Sequence, residues 1–532
     1  MLILAYDIGT TGVKTCLFDV EEQIRMIGSA SCGYGLYILP DGGAEQHADE
    51  WWDGMCTSTK QLIRESGVDP SQIEGISFCS QMQGLVLVDR SGVPVRHPMS
   101  YMDQRAGREI DEGIHKGFKI AGMNAGKLLK SLRATGAVSG SVKDPMWKYL
   151  WVKNHEPDLF ARVYKWLDVK EYLICRCTGK MVMTEDSAFS TLLMETKNDH
   201  RRWSEELCDM FGVEMQHLPE IIQSTDQVGS LRAEQADQLG LAVGTPVYGG
   251  GGDASLIGIG TGSVRTGETH IYCGTSGWVS TVTEKQMVDT SNMIAATIGA
   301  QPGKYSYFAE METAGKCLEW VRDHLALDEI GIYMEKKDIT GDSETVRTSL
   351  YDYMSEVIDS CAPGAGGVVF TPWLHGNRCP FEDANAAGMF FNISLDTGKT
   401  EMIRAVVEGV CYHLRWMLEC QEKKVKTSQT IRFCGGGALS AVTAQILSDI
   451  LDRPVEVPVQ PQNVGSVGAA LTAAAGAGVI ADLEEASRLI RPESVYYPGS
   501  CGPEGKAAYE KNYQVFRKLY SSNKKLFAQL NR

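Results

Sequence analysis

The chain has no CxxC pair, no HExxH and no regular histidine spacing, although its 532 residues include 15 cysteines and 10 histidines. Cys175 and Cys177 come nearest to a motif, so no structural zinc site is expected. An odd, scattered set of thiols suits a reducing compartment rather than a disulfide framework. The net charge of −16 leaves no basic excess, which argues against a nucleic-acid polymer or an anionic membrane as partner. Long apolar runs are missing too. The opening run stops at Asp7 with no basic stretch before it, unlike a signal peptide, and Ala469 to Ile480 is too short to cross a bilayer. These absences predict a cytoplasmic protein.

What is present is ordinary for a soluble α/β protein: 43% hydrophobic and 22% charged residues. The length exceeds what one core holds, so more than one domain is expected. The most informative stretch is the first sixteen residues, MLILAYDIGTTGVKTC. Leu2 to Tyr6 reads as a buried strand. It meets an acid, Asp7, then the turn Gly9-Thr10-Thr11-Gly12, then Lys14 and a returning strand from Thr15 to Phe18, a β-hairpin in outline. Backbone N–H groups and hydroxyls crowded at such a turn suit phosphate oxygens, and Asp7 at its rim suits a divalent cation.

Farther on, Asp49 to Glu65 carries Trp51, Trp52, Met55 and Leu62 at helical spacing. Ile73 to Phe78 reads as a strand that runs out into Gln81-Met82-Gln83, the place where α/β folds put ligand contacts. In Tyr101-Met102-Asp103-Gln104-Arg105, alternate residues point one way if the segment is extended. An aromatic, an acid and a guanidinium would then meet a sugar; the other reading is an Asp103–Arg105 surface pair. Asp168 to Arg176 reads as a helix lining a cleft.

At Thr245 the opening pattern reads as returning, with the strand Pro246 to Tyr248, then Gly249 to Gly252 and Asp253. Thr269 to Cys273, the turn Gly274-Thr275-Ser276-Gly277 and Trp278 to Val282 make a second Gly/Thr hairpin. One such hairpin is weak evidence, but two suggest a duplicated domain. A helix opens at Ala314-Gly315. Cys361 to Phe391 reads as a long cleft-facing loop. Thr400 reads as the N-cap of a helix with the apolar stripe Ile403, Val406, Val407, Val410, Leu414, Met417 and Leu418. Gly435-Gly436-Gly437-Ala438 lets a flat ligand approach the backbone where a helix begins, and the Gly/Ala-rich helix Gly465 to Gly478 must pack closely on something.

Taken in order, Asp7 to Thr11, Gly250 to Asp253, Gly274 to Gly277 and Gly435 to Ala438 resemble the FGGY carbohydrate kinases, across essentially the whole chain. Pro145 to Asn154 is similar to that family's first signature, with Lys143 in place of a small or aromatic residue. Gly388 to Ile393, followed by Glu401 to Glu408, is similar to the second, with Asn392 in place of glycine. Within the family the chain is similar to xylulose kinases, with Gln83 where those have histidine and Tyr101 where they have tryptophan.

The resemblance implies an α/β fold of two ribonuclease-H-like domains, of the actin and sugar-kinase superfamily, flanking a deep cleft. The division expected is 1–245 for the sugar site and first phosphate hairpin, and 246–532 for the catalytic aspartate, second hairpin and adenosine loop. It implies transfer of a phosphoryl group from ATP with Mg²⁺ to a primary hydroxyl of a small sugar, D-xylulose first, giving D-xylulose 5-phosphate. Ribulose, fuculose, erythritol, glycerol and gluconate are the alternatives.

By the same resemblance Asp253 is the catalytic base and Asp7 the metal ligand. Thr10, Thr11, Gly12, Lys14, Gly274, Thr275, Gly315, Gly436, Gly437 and Ala438 would bind ATP. Gln81, Met82, Gln83, Tyr101, Asp103, Arg105 and Asp253 would hold the sugar. The family is often a homodimer. Actin-like filaments and chaperone ATPases would share the hairpins and the glycine loop but lack the Tyr101–Arg105 motif and the second signature. A sugar-binding regulator without catalysis would have no need of both Asp7 and Asp253.

Overall fold

A computed structural model describes residues 1–197, 201–325 and 355–531. The first sheet contains β1 (Leu2–Ile8), β2 (Gly12–Val20), β3 (Ile24–Gly33), β4 (Ile73–Ser80), β5 (Gln227–Ser230) and β6 (Pro246–Tyr248). Their spatial order is β5-β6-β4-β1-β2-β3, and Gly251–Gly252 adds a short strand on β4. The second sheet contains β7 (Thr269–Cys273), β8 (Gly277–Thr283), β9 (Val288–Asp289), β10 (Ile294–Ile298), β11 (Tyr305–Met311), β12 (Ile431–Cys434), β13 (Val455–Pro458) and β14 (Pro492–Tyr496). Its order is β9-β10-β11-β8-β7-β12-β13-β14.

The two sheets repeat one plan. Strands β1, β2 and β3 form an antiparallel meander, β4 lies parallel to β1, β6 parallel to β4, and β5 antiparallel to β6. Strands β7, β8 and β11 form the same meander, followed by β12 and β13 in parallel and β14 antiparallel. The duplication inferred from two Gly/Thr hairpins is therefore real, and β7–β8 is the counterpart of β1–β2.

The starting point of the repeat differs from the sequence reading. β6 belongs to the parallel arm of the first sheet and corresponds to β13, so the repeat begins at Thr269. A boundary after residue 245 would separate β5 from β6, its hydrogen-bonded neighbour. The misreading has a physical cause. Any strand that delivers its end to a ligand edge is a short apolar run followed by glycines, and only pairing tells a hairpin from a parallel arm.

Helix α1 (Ala48–Ser66) buries Trp51, Trp52, Met55 and Leu62 beneath β2 and β3. Each such side chain contributes about 1.5–3 kcal/mol by leaving water. Helices α2 (Pro145–His155) and α3 (Val169–Thr178) pack beside the end of β4's loop. Helix α4 (Asp253–Gly260) follows the Gly251–Gly252 strand. In the second half, α5 (Lys399–Glu422) buries its whole predicted stripe. Its N-cap is Gly398, not Thr400, because the Glu401 carboxylate accepts the Gly398 N–H at 2.9 Å. The long segment from Cys361 to Phe391 is not all loop: Val369–Thr371 pairs with Met389–Phe391.

Helix α6 (Ala441–Leu451) packs on β13, and α7 (Val464–Gly476) crosses back to the first sheet, lying on β1, β2 and β4. Small residues make that return possible. A Cβ on Gly260 would collide with the Val464 carbonyl, and one on Gly468 with the Leu256 carbonyl, so α4 and α7 touch backbone to backbone. This is the partner that the Gly/Ala-rich helix required.

Candidate active site

The site begins with register. Asp7 faces Lys14 across the hairpin and Cys79 across the parallel pair, and Cys79 in turn faces Gly251. Asp7, Cys79 and Gly251 thus form one row across three strands, on the order of 10 Å by strand spacing. Asp253 leaves the end of that row as the first residue of α4. The two carboxylates sense each other. Burial pushes the Asp253 carboxyl up to about 7, against the Ala254 N–H that stabilises its anion, and the charges of Asp7 and Glu310 push the same way. Burial also raises Asp7, while Lys14 and a hydrogen bond with the Cys79 thiol pull it down. Asp253 and Asp7 both disfavour ionisation of the Tyr272 phenol, whose burial is the larger cause. Residues from both sheets therefore lie close enough for their charges to act on one another.

The first hairpin turn is closed by the Gly9 N–H donating to the Gly12 carbonyl at 2.9 Å, and Tyr34 braces it through the Gly9 carbonyl at 2.6 Å. A Cβ on Gly12 would stand 3.0 Å from the Cys32 carbonyl, so the glycine keeps the hairpin flat on β3. Thr11 lies in this turn, with its carbonyl accepting the Tyr34 N–H at 3.0 Å. Lys14 reaches Asn463, just before α7, at 2.7 Å. In the second half, Gly274, Thr275, Gly315 and the Gly435–Ala438 run converge. The Gly315 N–H donates to the Gly274 carbonyl at 2.7 Å, and the Ala314 N–H to the Thr275 carbonyl at 3.0 Å. Gly435 takes a φ of +89°, and a Cβ on it or on Gly437 would come within 2.6 Å of Cys273 atoms. Gly436, Gly437 and Ala438 open a short 3-10 turn there.

The Gln81-Met82-Gln83 loop leaves β4 beside Asp253, and a Cβ on Gly252 would strike the Met82 side chain. Gln83 adopts the left-handed region with φ of +62°, an arrangement that costs free energy unless its surroundings impose it. They do. Asp168 accepts the Gln83 and Gly84 N–H groups at 2.9 Å each, and the Lys148 ammonium donates to the Gln83 carbonyl at 2.5 Å and the Ser100 carbonyl at 3.0 Å. Burial lowers Lys148 to about 8, although Asp168, Asp103 and Asp144 favour its charge.

The Tyr101–Arg105 segment corrects both sequence readings. It is a turn rather than a strand, and its ion pair is buried rather than on the surface. Asp103 is 0% exposed. Its carboxylate accepts from the Ala44 N–H at 2.8 Å and the Arg105 guanidinium at 2.7 Å, and Arg105 also reaches Glu45 at 2.6 Å and lies over the Trp151 ring. Tyr101, 36% exposed, stays accessible, with its hydroxyl 3.5 Å from the Thr10 hydroxyl. Asp103 and Arg105 fix the loop, with both Asp103 oxygens and the Nε and Nη2 of Arg105 engaged.

Several residues of the site carried no sequence signal of their own. Asp186 accepts the Gly252 N–H at 2.7 Å and so fixes the backbone beside Asp253. Glu310 crowds Asp253 from the second sheet and pairs with Arg378 at 2.7 Å. Lys148 stood inside a quoted signature without a role. Nothing in the spacing of these residues ties them to positions scores of residues away.

Residues 2–260 match the FGGY family of carbohydrate kinases, N-terminal domain, and residues 270–477 match the C-terminal domain. The chain belongs to the FGGY carbohydrate kinases. It is 26% identical over 526 residues to a xylulose kinase of Bacillus subtilis, covering 98% of this chain and 97% of the relative. It is 28% identical over 460 residues to a gluconokinase of Bacillus licheniformis, covering 86% of this chain and 84% of the relative. The ligand-bound crystal structure of xylulose kinase from Lactobacillus acidophilus superposes with a TM-score of 0.83 at 25% identity, covering 99% of each chain. This FGGY kinase is a carbohydrate phosphotransferase with the mixed α/β architecture of the actin and sugar-kinase superfamily. Among its described residues no helix is long and apolar enough to cross a membrane.

Proposed function

We propose that this kinase transfers the terminal phosphoryl group of ATP to a primary hydroxyl of D-xylulose. The observation that supports it most is the pair Asp7 and Asp253, the charge of the first acting on the second, with the carboxyl of Asp253 raised to about 7. A base near neutrality accepts an alcohol proton far better than an ordinary aspartate, and a loose transition state asks for that proton late. Asp253 orients the hydroxyl and takes its proton. The relatives' printed names support xylulose ahead of gluconate, which the gluconokinase similarity makes the second reading.

Asp7 suits Mg²⁺. Mg²⁺ commonly takes one or two carboxylates and completes its shell with phosphates and water. A Cβ on Gly465 would stand 2.8 Å from the Cys79 sulfur and 3.4 Å from the Asp7 carboxylate, so the start of α7 lies against this pair with no side chain between. Bound Mg²⁺ would supply neutralisation of the phosphate charge. Thr10, Thr11, Gly12 and Lys14 would meet the phosphates from one hairpin and Gly274 and Thr275 from the other. Gly315, Gly436, Gly437 and Ala438 would receive the adenosine, and Gln81, Met82, Gln83 and Tyr101 the sugar. ADP release measured across ketoses, polyols and aldonates tests the reading. D-xylulose should give the highest kcat/KM, and turnover confined to gluconate would move the assignment to the second reading.

A further inference from the structure

Between the phosphate turn and the sugar loop lies a residue with no role so far. Gln46 follows the short strand Ala44–Glu45 and is 1% exposed. Its side-chain Nε2 donates to the Thr10 carbonyl at 2.7 Å, and its Oε1 accepts from Gln81 Nε2 at 2.9 Å. The Gln81 backbone N–H donates to the Ile8 carbonyl at 2.8 Å, closing the circuit onto β1.

The direction of this chain is forced. A backbone carbonyl only accepts, so Gln46 must turn its NH₂ toward Thr10 and its oxygen toward Gln81. Gln81 must then answer with its own NH₂, which leaves its Oε1 on the far side. That oxygen is buried, with Gln81 6% exposed, and it has no hydrogen-bond partner. An unpaired buried acceptor costs free energy and is relieved by any shift that brings it a donor. The segment carrying Gln46 is anchored as well. The Gln46 N–H donates to the Pro98 carbonyl at 3.0 Å, the Ser100 N–H to the Ala44 carbonyl at 2.8 Å, and Ala44 donates to Asp103. Thus Gln46 sits on an anchored segment, with one hydrogen bond to the Thr10 turn and one to the Gln81 loop.

We infer that Gln46 is a positioning residue that ties the Thr10 phosphate turn to the Gln81 sugar loop, so that ligand at one end orders the other. The inference rests on the proposed kinase reading, since it supposes nucleotide at the Thr10 turn.

The experiment is amide hydrogen exchange on the full chain, with and without Mg·ADP and with no sugar. In the wild type, Mg·ADP should slow exchange of residues 79–84 as well as residues 8–12. In Gln46→Met, protection of residues 8–12 should remain, while protection of 79–84 should fall roughly tenfold, the effect of losing one hydrogen bond's coupling. Gln81→Met cuts the same link from the other end and should behave alike, which covers the case in which one variant does not fold. Wild-type protein that binds Mg·ADP without protecting 79–84 overturns the inference, as does a folded variant of either kind with wild-type protection there. Failure of the wild type to bind Mg·ADP at all overturns the kinase reading instead, so the two failures are distinct.

Discussion

Asp253 combines a cost to the fold with a gain to the chemistry. Its carboxyl is raised to about 7 in the folded chain, against about 4 when unfolded. In that window the native state holds a proton the unfolded chain has released, so its contribution to stability falls as pH rises from about 4 through 7. Asp253→Asn should therefore raise stability by about 1–3 kcal/mol at pH 8, with the gain shrinking toward pH 4. Thermal melts of both proteins at several pH values check it, and an equal gain at every pH would contradict it. Activity runs the other way. Asp253→Ala should lower kcat by ~10²–10⁴-fold with little change in ADP affinity. For the wild type, kcat/KM should climb about tenfold per unit up to pH ~7 and then level.

The strained Gln83 and the departure at Asn392 belong to the same scale. Asn392 stands in a left-handed conformation with φ of +69°, where asparagine is the best substitute for glycine. That explains why the second signature tolerates it.

Among the elements, α4 and α7 decide where Asp253 points. They meet through Gly260 and Gly468 with no side chain between. Gly468→Ala forces the helices apart and should cost about 1–3 kcal/mol, while moving Asp253 and lowering kcat more than it raises the KM for nucleotide. A melt combined with steady-state kinetics checks this, and unchanged kcat would place α4's position elsewhere. The loop after β4 depends in the same way on α2 and α3, through Lys148 and Asp168. Lys148→Met removes two hydrogen bonds to the carbonyls of Gln83 and Ser100. It should raise the KM for sugar about tenfold, as one to two hydrogen bonds' worth of loop order is lost. Acceptor titrations at saturating ATP measure it.

At the scale of the molecule, two sheets of one plan each carry a Gly/Thr hairpin, and α7 laces the second half onto the first. Phosphoryl transfer to water would compete with transfer to sugar if the site stayed wet. ATP hydrolysis without acceptor should accordingly be at least ~10²-fold slower than transfer in its presence, the cost of an unassembled site. ADP release with and without D-xylulose reads that ratio directly.

The chain's sequence alone determined the hairpins, the duplication, the apolar stripes of α1 and α5 and the family, because each is a local pattern or an ordered set of motifs. Three things waited for tertiary structure. The repeat's true start needed strand pairing, since β6 and β1 look alike as text. The burial of Asp103 and Arg105 needed the fold, since alternation in a sequence does not tell a strand from a turn packed beneath one. The supports of the site, Gln46, Lys148, Asp168 and Asp186, act across 35 to 85 residues. A hydrogen bond depends on position in space, and chain folding alone sets that for residues so far apart.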